Sequence, residues 1–217
     1  MNIDALNIKY ATLTPEQRVA ELYKDFAPEK VLFTSSFGTT AAILLHMITK
    51  VNAKQVIHFL DTTYHFDATK DYKNKLIQQL SLHVEDILPE TWKNDFTRSD
   101  ETWKKDPDLC CSINKVEPLD RVKPNYDIWI SGLMSAQNTH RKSLNVFEKK
   151  DDIIKFYPII DFNAADANSY FEKFNLPKHP MEAEGYSSIG CTHCTAKGKG
   201  REGRWINKDK SECGLHV

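Results

Sequence analysis

Five cysteines stand where thiols do chemistry. Cys110 and Cys111 are adjacent, Cys191 and Cys194 form a Cys-x-x-Cys pair, and Cys213 stands apart in Glu212-Cys213-Gly214-Leu215-His216. Four grouped thiols suit a metal centre, since thiolates hold either an iron–sulfur cluster or a structural zinc. Cys-x-x-Cys puts two sulfurs on one side of a turn. Adjacent residues on a strand point to opposite faces, so Cys110 and Cys111 reach one centre only from a helix start or a turn. Asp106-Pro107-Asp108 supplies such a start. Zinc ribbons usually use two Cys-x-x-Cys pairs, so the adjacent pair favours a cluster. The fifth thiol has the placement of a nucleophile, because a thiol near the tail can be exposed to what it attacks. Nearby arginines would favour its thiolate; Glu212 would oppose it.

Three further groups suit an anion. Ser35-Ser36-Phe37-Gly38-Thr39-Thr40 is a small-residue turn between strand-like and helical segments. Such turns let an anion approach the free amides of a helix N-terminus. They lack the Gly-Lys-Ser/Thr of a Walker A loop. Asp61 and Thr62 end the next strand, where ligands of open α/β sheets sit. Lys115 lies four residues after Cys111, so on a helix it shares that face and can address both a metal centre and an anion. Arg201 and Arg204, in Arg201-Glu202-Gly203-Arg204-Trp205, can fork onto phosphate or sulfate oxygens, and Lys197 and Lys199 add charge.

The elements that must position these groups alternate. Thr14-Pro15-Glu16-Gln17 has a cap, a first-position proline and a capping-box glutamine, and Leu22, Tyr23 and Phe26 supply an apolar face. Strands are predicted over 31–34, 55–60, 82–88, 127–131 and 153–160, and helices over 41–49, 66–80, 110–122 and 164–174. A polar, Trp-containing stretch spans 90–108. Alternation of this kind predicts right-handed crossovers and an α/β fold, a mostly parallel sheet flanked by helices. From Pro177 the chain is rich in Gly, His, Cys and Arg, which predicts a loop-rich C-terminal segment.

The 217 residues suit one domain, with a core over about 28–175 and a tail over about 176–217. Lys plus Arg (29) against Asp plus Glu (30) gives a net charge of -1, which argues against a general nucleic-acid or membrane binder. No basic-then-apolar leader opens the chain, and no run approaches the ~18 apolar residues of a spanning helix. The expectation is a cytoplasmic protein, where clustered cysteines favour metal binding or catalysis over disulfides.

Taken together these residues resemble the assimilatory adenylyl-sulfate (APS) and phosphoadenylyl-sulfate (PAPS) reductase family, from about Val31 onward. The segments that carry the resemblance are Ser36-Phe37-Gly38, Leu60-Asp61-Thr62, Cys110 to Leu119, Gly185 to Cys194, Arg201 to Trp205, and Glu212 to His216. The resemblance implies an adenine-nucleotide α-hydrolase-like sheet and a [4Fe–4S] cluster on Cys110, Cys111, Cys191 and Cys194. That four-cysteine set marks the cluster-bearing branch, which mostly uses APS. It implies substrate contacts at Ser35, Ser36, Phe37, Gly38, Leu60, Asp61, Thr62, Lys115, Gln137, Arg141, Arg201 and Arg204. It implies that Cys213 attacks the sulfate sulfur, AMP leaves, and thioredoxin or glutaredoxin releases sulfite from the Cys-S-sulfonate. A homo-oligomer and a proton-moving role for His216 are left open.

Two positions depart from the family. Its Gly-x-Arg-Arg-Asp/Glu-Gln-Ser is here Gly132-Leu133-Met134-Ser135-Ala136-Gln137-Asn138, without the arginines, and Thr63 stands where the family often has Gly. Three rival readings are a PAPS reductase, an ATP pyrophosphatase of the tRNA-thiolation type, and a zinc-binding interaction module. The second would show Ser-Gly-Gly-x-Asp-Ser in its first loop, and the third leaves Cys213 unexplained.

Overall fold

The computed structural model of the chain describes residues 2–208, 210 and 212–215. Asn2 caps the first helix, α1 (Ile3–Ala11), by accepting from the Ala5 amide. The predicted capping box of Thr14 and Gln17 opens α2 (Pro15–Asp25). The chain then enters β1 (Val31–Ser35), α3 (Ala41–Val51), β2 (Val56–Leu60), α4 (Asp67–Leu80) and β3 (His83–Ile87). The polar stretch folds as α5 (Thr91–Ser99) and α6 (Thr102–Lys105). The expected helix over 110–122 is a composite. It runs through α7 (Pro107–Cys111), a π turn (Ser112–Val116) and α8 (Glu117–Asp120). Then come β4 (Ile128–Ile130), β5 (Phe147–Lys150), β6 (Ile153–Phe156) and α9 (Ala164–Lys173).

The six strands form one sheet in the order β3-β2-β1-β4-β6-β5. All neighbours are parallel except β5, which pairs antiparallel with β6. The fold expectation is met, with α1, α5, α6 and β5 as the additions. Phe147-Glu148-Lys149-Lys150 is too short and polar to read as a strand. It is held as an edge by the side chain of Asn7, whose amide donates to the Phe147 carbonyl (3.0 Å) and accepts from its N–H (2.8 Å). This satisfies backbone groups that an edge strand otherwise leaves open.

The two sheet faces are unequal. One carries the main core, in which Phe33, Ile57, Phe59, Ile130 and Phe156 meet α1 to α4 and α9. Each such fully buried side chain contributes about 1.5–3 kcal/mol. The other face holds a smaller cluster of Leu32, Leu60, Ile87, Leu119, Trp129 and Ile153, with Leu215 of the tail packed on it. The chain fills positions β1, β2, β3 outward in one direction and then returns to β4 on the other side of β1. The crevice between the ends of β1 and β4 is therefore a topological switch point, where open α/β sheets bind ligands.

Candidate active site

The sequence 31–40 makes the floor of that crevice. β1 ends at Ser35, whose hydroxyl accepts from the Phe37 amide at 3.1 Å. Phe37 takes a left-handed φ of 50° and turns its ring into the core against Phe59. The reversal aims the start of α3 at the crevice, and its first-turn amides have no side-chain cap. Such amides favour an anion. A cleft of about 550 Å³ opens here, in the range of small-ligand sites. Its wall includes Ser35, Ser36, Gly38, Leu60, Lys115, Gln137, Arg141, Arg201, Arg204 and Cys213. These ten predicted residues, with Cys191 as an eleventh, thus share one cavity although the last is remote in sequence from the first.

Three predicted contacts are not on the cleft wall. Phe37 spends its side chain on the core. Asp61 accepts from the Thr63 amide at 2.8 Å and shapes the turn after β2. Thr62 is fully buried, with its hydroxyl 3.3 Å from the Cys191 sulfur. Thr63 adopts φ 64°, a left-handed conformation that favours glycine, and its hydroxyl bonds Asn94 and Arg98.

A second, smaller cavity adjoins the cleft. It is lined by Cys110, Cys111, Cys191 and Cys194 together with Tyr64, Trp103, Asn114, Lys115 and His193. Lys115 and Cys191 border both cavities. Asp106 starts α7 by accepting from the amides of Asp108 and Leu109, so the two adjacent cysteines close a single helical turn before the π turn begins. A π turn inside a helix often marks a functional site. The Cys-x-x-Cys loop is tied on by Thr192 N–H donating to the Tyr64 carbonyl at 2.8 Å and by a bridge between His65 and Cys191. Among the described residues no three His, Cys, Asp or Glu converge tightly enough for a single metal ion. The four sulfurs border one cavity, a donor set whose chemistry suits an iron–sulfur cluster or a zinc ion.

Burial, followed by the neighbouring sulfurs, pushes the Cys110 thiol up to about 12. Burial likewise raises Cys111 and Cys194. Crowded buried thiols of this kind ionise against a cationic centre, not alone. Burial opposes the charge of Lys115, yet Cys191, Cys111 and Cys213 hold its ammonium above the ordinary lysine value.

Sequence reasoning missed what stands behind the sulfurs. Asn114 donates to the Cys110 carbonyl (2.9 Å) and faces its sulfur (3.7 Å). Its own oxygen accepts from Asn94 (2.7 Å), and Thr97 and Tyr64 extend the network. Over the cavity, the Trp103 and His193 rings stack at 3.9 Å and Tyr64 meets both edge-on. The one signal for these residues was the polar, Trp-containing stretch, which gave no register.

The arginines are placed by the hairpin that follows Cys194. Ala196 N–H donates to the Gly203 carbonyl (2.8 Å), and Trp205 N–H returns to the Cys194 carbonyl (3.2 Å). Arg204 then donates to the Cys194 carbonyl (3.2 Å) and stacks on Trp205 at 4.4 Å. A Cβ at Gly203 would overlap the Ala196 carbonyl, whereas one at Gly190 would meet the Arg204 guanidinium. Gly203→Ala is therefore expected to cost about 1–3 kcal/mol in urea unfolding, because backbone must move. Gly190→Ala displaces only the end of a side chain. It should leave the unfolding midpoint nearly unchanged and raise KM for an anionic substrate.

Arg141 and Arg201, expected as substrate contacts, line the cleft and converge on Glu212. Arg141 donates to both Glu212 oxygens (2.5 and 2.8 Å), Arg201 to one (3.1 Å), and Asn138 to the other (2.7 Å). Gln137 accepts from Arg141. Burial opposes the Glu212 carboxylate, but Arg141, Arg201 and Asn138 hold it below the usual glutamate range. Its contribution to stability is present above the ordinary value of 4.5 and is lost as pH falls through the lower folded value. Glu212→Gln removes the counter-charge from the buried Arg141 guanidinium and weakens the hold on Arg201. It is expected to loosen residues 212–215 by about 3 kcal/mol, read as lost hydrogen-exchange protection of those amides. His216, whose role was left open, lies outside the described residues.

The phosphoadenosine phosphosulfate reductase domain matches residues 30–197, and the chain belongs to that family. It is 36% identical to the adenosine 5'-phosphosulfate reductase of Bacillus cereus over 203 residues, 89% of this chain and 86% of that protein. The Bacillus mycoides protein of the same name is 35% identical over the same length. The crystal structure of phosphoadenylyl-sulfate (PAPS) reductase from Candida auris superposes with a TM-score of 0.74 at 26% identity, covering 89% of this chain and 96% of that one. An FMN adenylyltransferase of Candida glabrata shares the fold alone, with a TM-score of 0.61 at 15% identity.

Proposed function

We propose that the protein reduces adenylyl sulfate to sulfite and AMP in sulfate assimilation, with a dithiol protein such as thioredoxin or glutaredoxin as electron donor. The observation that carries this reading is the shared cleft of Cys213, Lys115 and Arg204 above the start of α3, with the four-cysteine cavity against its wall. The Cys213 thiolate attacks the sulfate sulfur; the bond from that sulfur to the bridging oxygen breaks, and its electron pair leaves on the phosphate of AMP. Lys115 and Arg204 offset charge as that phosphate develops. Cys213 then carries an S-sulfonate. A thiolate of the donor attacks the Cys213 sulfur, sulfite departs with the bonding pair, and the donor's second thiol restores Cys213 as a thiol. Arg141 and Arg201 act through Glu212, by seating the tail.

Cys110, Cys111, Cys191 and Cys194 would hold a [4Fe–4S] cluster, a group suited to four thiols, three of them buried, that line one cavity. Such a cluster supplies a local field. Electrons enter as thiols. Lys115, which borders both cavities, would face such a cluster on one side and the cleft on the other. The domain reading is a nucleotide-binding core over about 28–175 with a catalytic tail over about 176–217. Among the described residues no helix is long and apolar enough to cross a membrane; a cytoplasmic location is part of the proposed reading.

The deciding experiment is sulfite release from APS and PAPS in parallel, with anaerobically purified protein and thioredoxin. APS is expected to have the higher kcat/KM. The likeness to the Candida auris enzyme favours PAPS as the second reading. A PAPS preference of about tenfold, or 1.4 kcal/mol in transition-state binding, would establish it.

A further inference from the structure

Lys155 has no part in the chemistry above, yet it is an unusual residue for its place. It lies on β6 and is only 3% exposed, on the face of the sheet that holds Trp129 and Ile153. Burial and the nearby Lys150 and Lys123 depress its pKa to about 8, against the opposing pull of Cys213 and Asp151. An apolar side chain would fill a core position at less cost than a buried ammonium. What the ammonium does is donate to the backbone carbonyl of Leu215 at 2.6 Å, while it lies 4.8 Å from the Trp129 ring centre.

That carbonyl belongs to the segment that carries the nucleophile. On one side of Cys213, Glu212 is held by Arg141, Arg201 and Asn138. On the other side, a Cβ at Gly214 would sit 3.1 Å from Val116, so the backbone runs close against the π turn. Next, the Leu215 side chain packs on the cluster of Leu32, Leu60 and Trp129. Glu212 alone would leave Cys213 at the end of a one-point tether, free to swing. A second fixed point two residues on removes that freedom, and the bond from Lys155 is the polar part of it. We propose that Lys155 is a positioning residue for the nucleophile, holding Cys213 in the cleft through the Leu215 carbonyl. The proposal rests on the reading of Cys213 as the nucleophile, and its primary test does not require turnover.

The test compares wild type with Lys155→Met, which keeps the stem over Trp129 and removes the donor, and with Lys155→Arg, which keeps a charged donor. Each protein, with iron content and unfolding midpoint measured first, is treated with iodoacetamide, and labelling of Cys213 is timed by mass spectrometry of the C-terminal peptide. Loss of a charge-assisted bond to this part-buried carbonyl should raise the labelling rate about tenfold in Lys155→Met at an unchanged or higher unfolding midpoint. Lys155→Arg should stay nearer to wild type. In the sulfite assay, kcat of Lys155→Met should fall while KM for the nucleotide changes by less than about twofold, a split that general loosening of the core would not give. Should Lys155→Met not fold, Lys155→Gln decides, since its uncharged amide stops one atom short of the carbonyl. Wild-type labelling of Cys213 in the folded variant overturns the proposal. Faster labelling in a protein whose wild type reduces no sulfonucleotide upholds the positioning role and overturns the functional reading instead.

Discussion

Cys213→Ser is expected to release no measurable sulfite from either sulfonucleotide, a loss of at least about a thousandfold, while keeping its iron and its ability to bind nucleotide. Cys213 lines the cleft and not the four-cysteine cavity, so its replacement leaves the proposed ligands in place. The Glu212 contacts are made by the preceding residue, so the tail keeps its seat. What is lost is the atom that must first attack sulfur and then be attacked at sulfur, which a serine oxygen cannot do. Wild-type protein given APS without reductant should gain one SO3 group, about 80 Da, on the Cys213 peptide, and thioredoxin should remove it. A serine variant that turned over near the wild-type rate would end this mechanism.

The second large effect concerns the ligand set. Anaerobically purified protein is expected to hold about four iron and four acid-labile sulfide per chain. Cys110→Ser, Cys111→Ser, Cys191→Ser and Cys194→Ser should each lose iron and activity together. The loss should be most complete for Cys110 and Cys191, which are buried and hydrogen-bonded to Asn114 and Thr62 respectively. Because ligation requires thiolates and burial raises Cys110, Cys111 and Cys194, retention of iron should weaken as pH falls. Stoichiometric zinc without sulfide, in protein from iron-replete cells, would overturn the cluster reading.

The legibility of this chain varied with the range of the forces involved. The capping box at Thr14 and Gln17, the turn after β1 and the alternation of strands with helices are written in neighbouring residues, so they could be read directly. So were the grouping of four thiols against one and the cations at 115, 201 and 204. Local signals failed where a polar segment was held by something distant. β5 exists because Asn7 bonds its backbone across 140 positions. Asn94 and Asn114 meet behind Cys110 because α5 crosses the π turn, and neither position shows this in its own neighbourhood.

Residue types and their order by themselves determined the fold class, the family and which side chains can do chemistry. The tertiary structure alone decided what each charge faces. Arg141 and Arg201, read as free for substrate, meet Glu212; Thr62 turns to Cys191; Phe37 turns into the core. Lys155, unremarked in its strand, reaches the tail. For the polar and charged residues among these the physical reason is common. A buried polar or charged group takes whichever partner packing brings within about 3 Å, and that partner is selected by chain topology, not by sequence spacing.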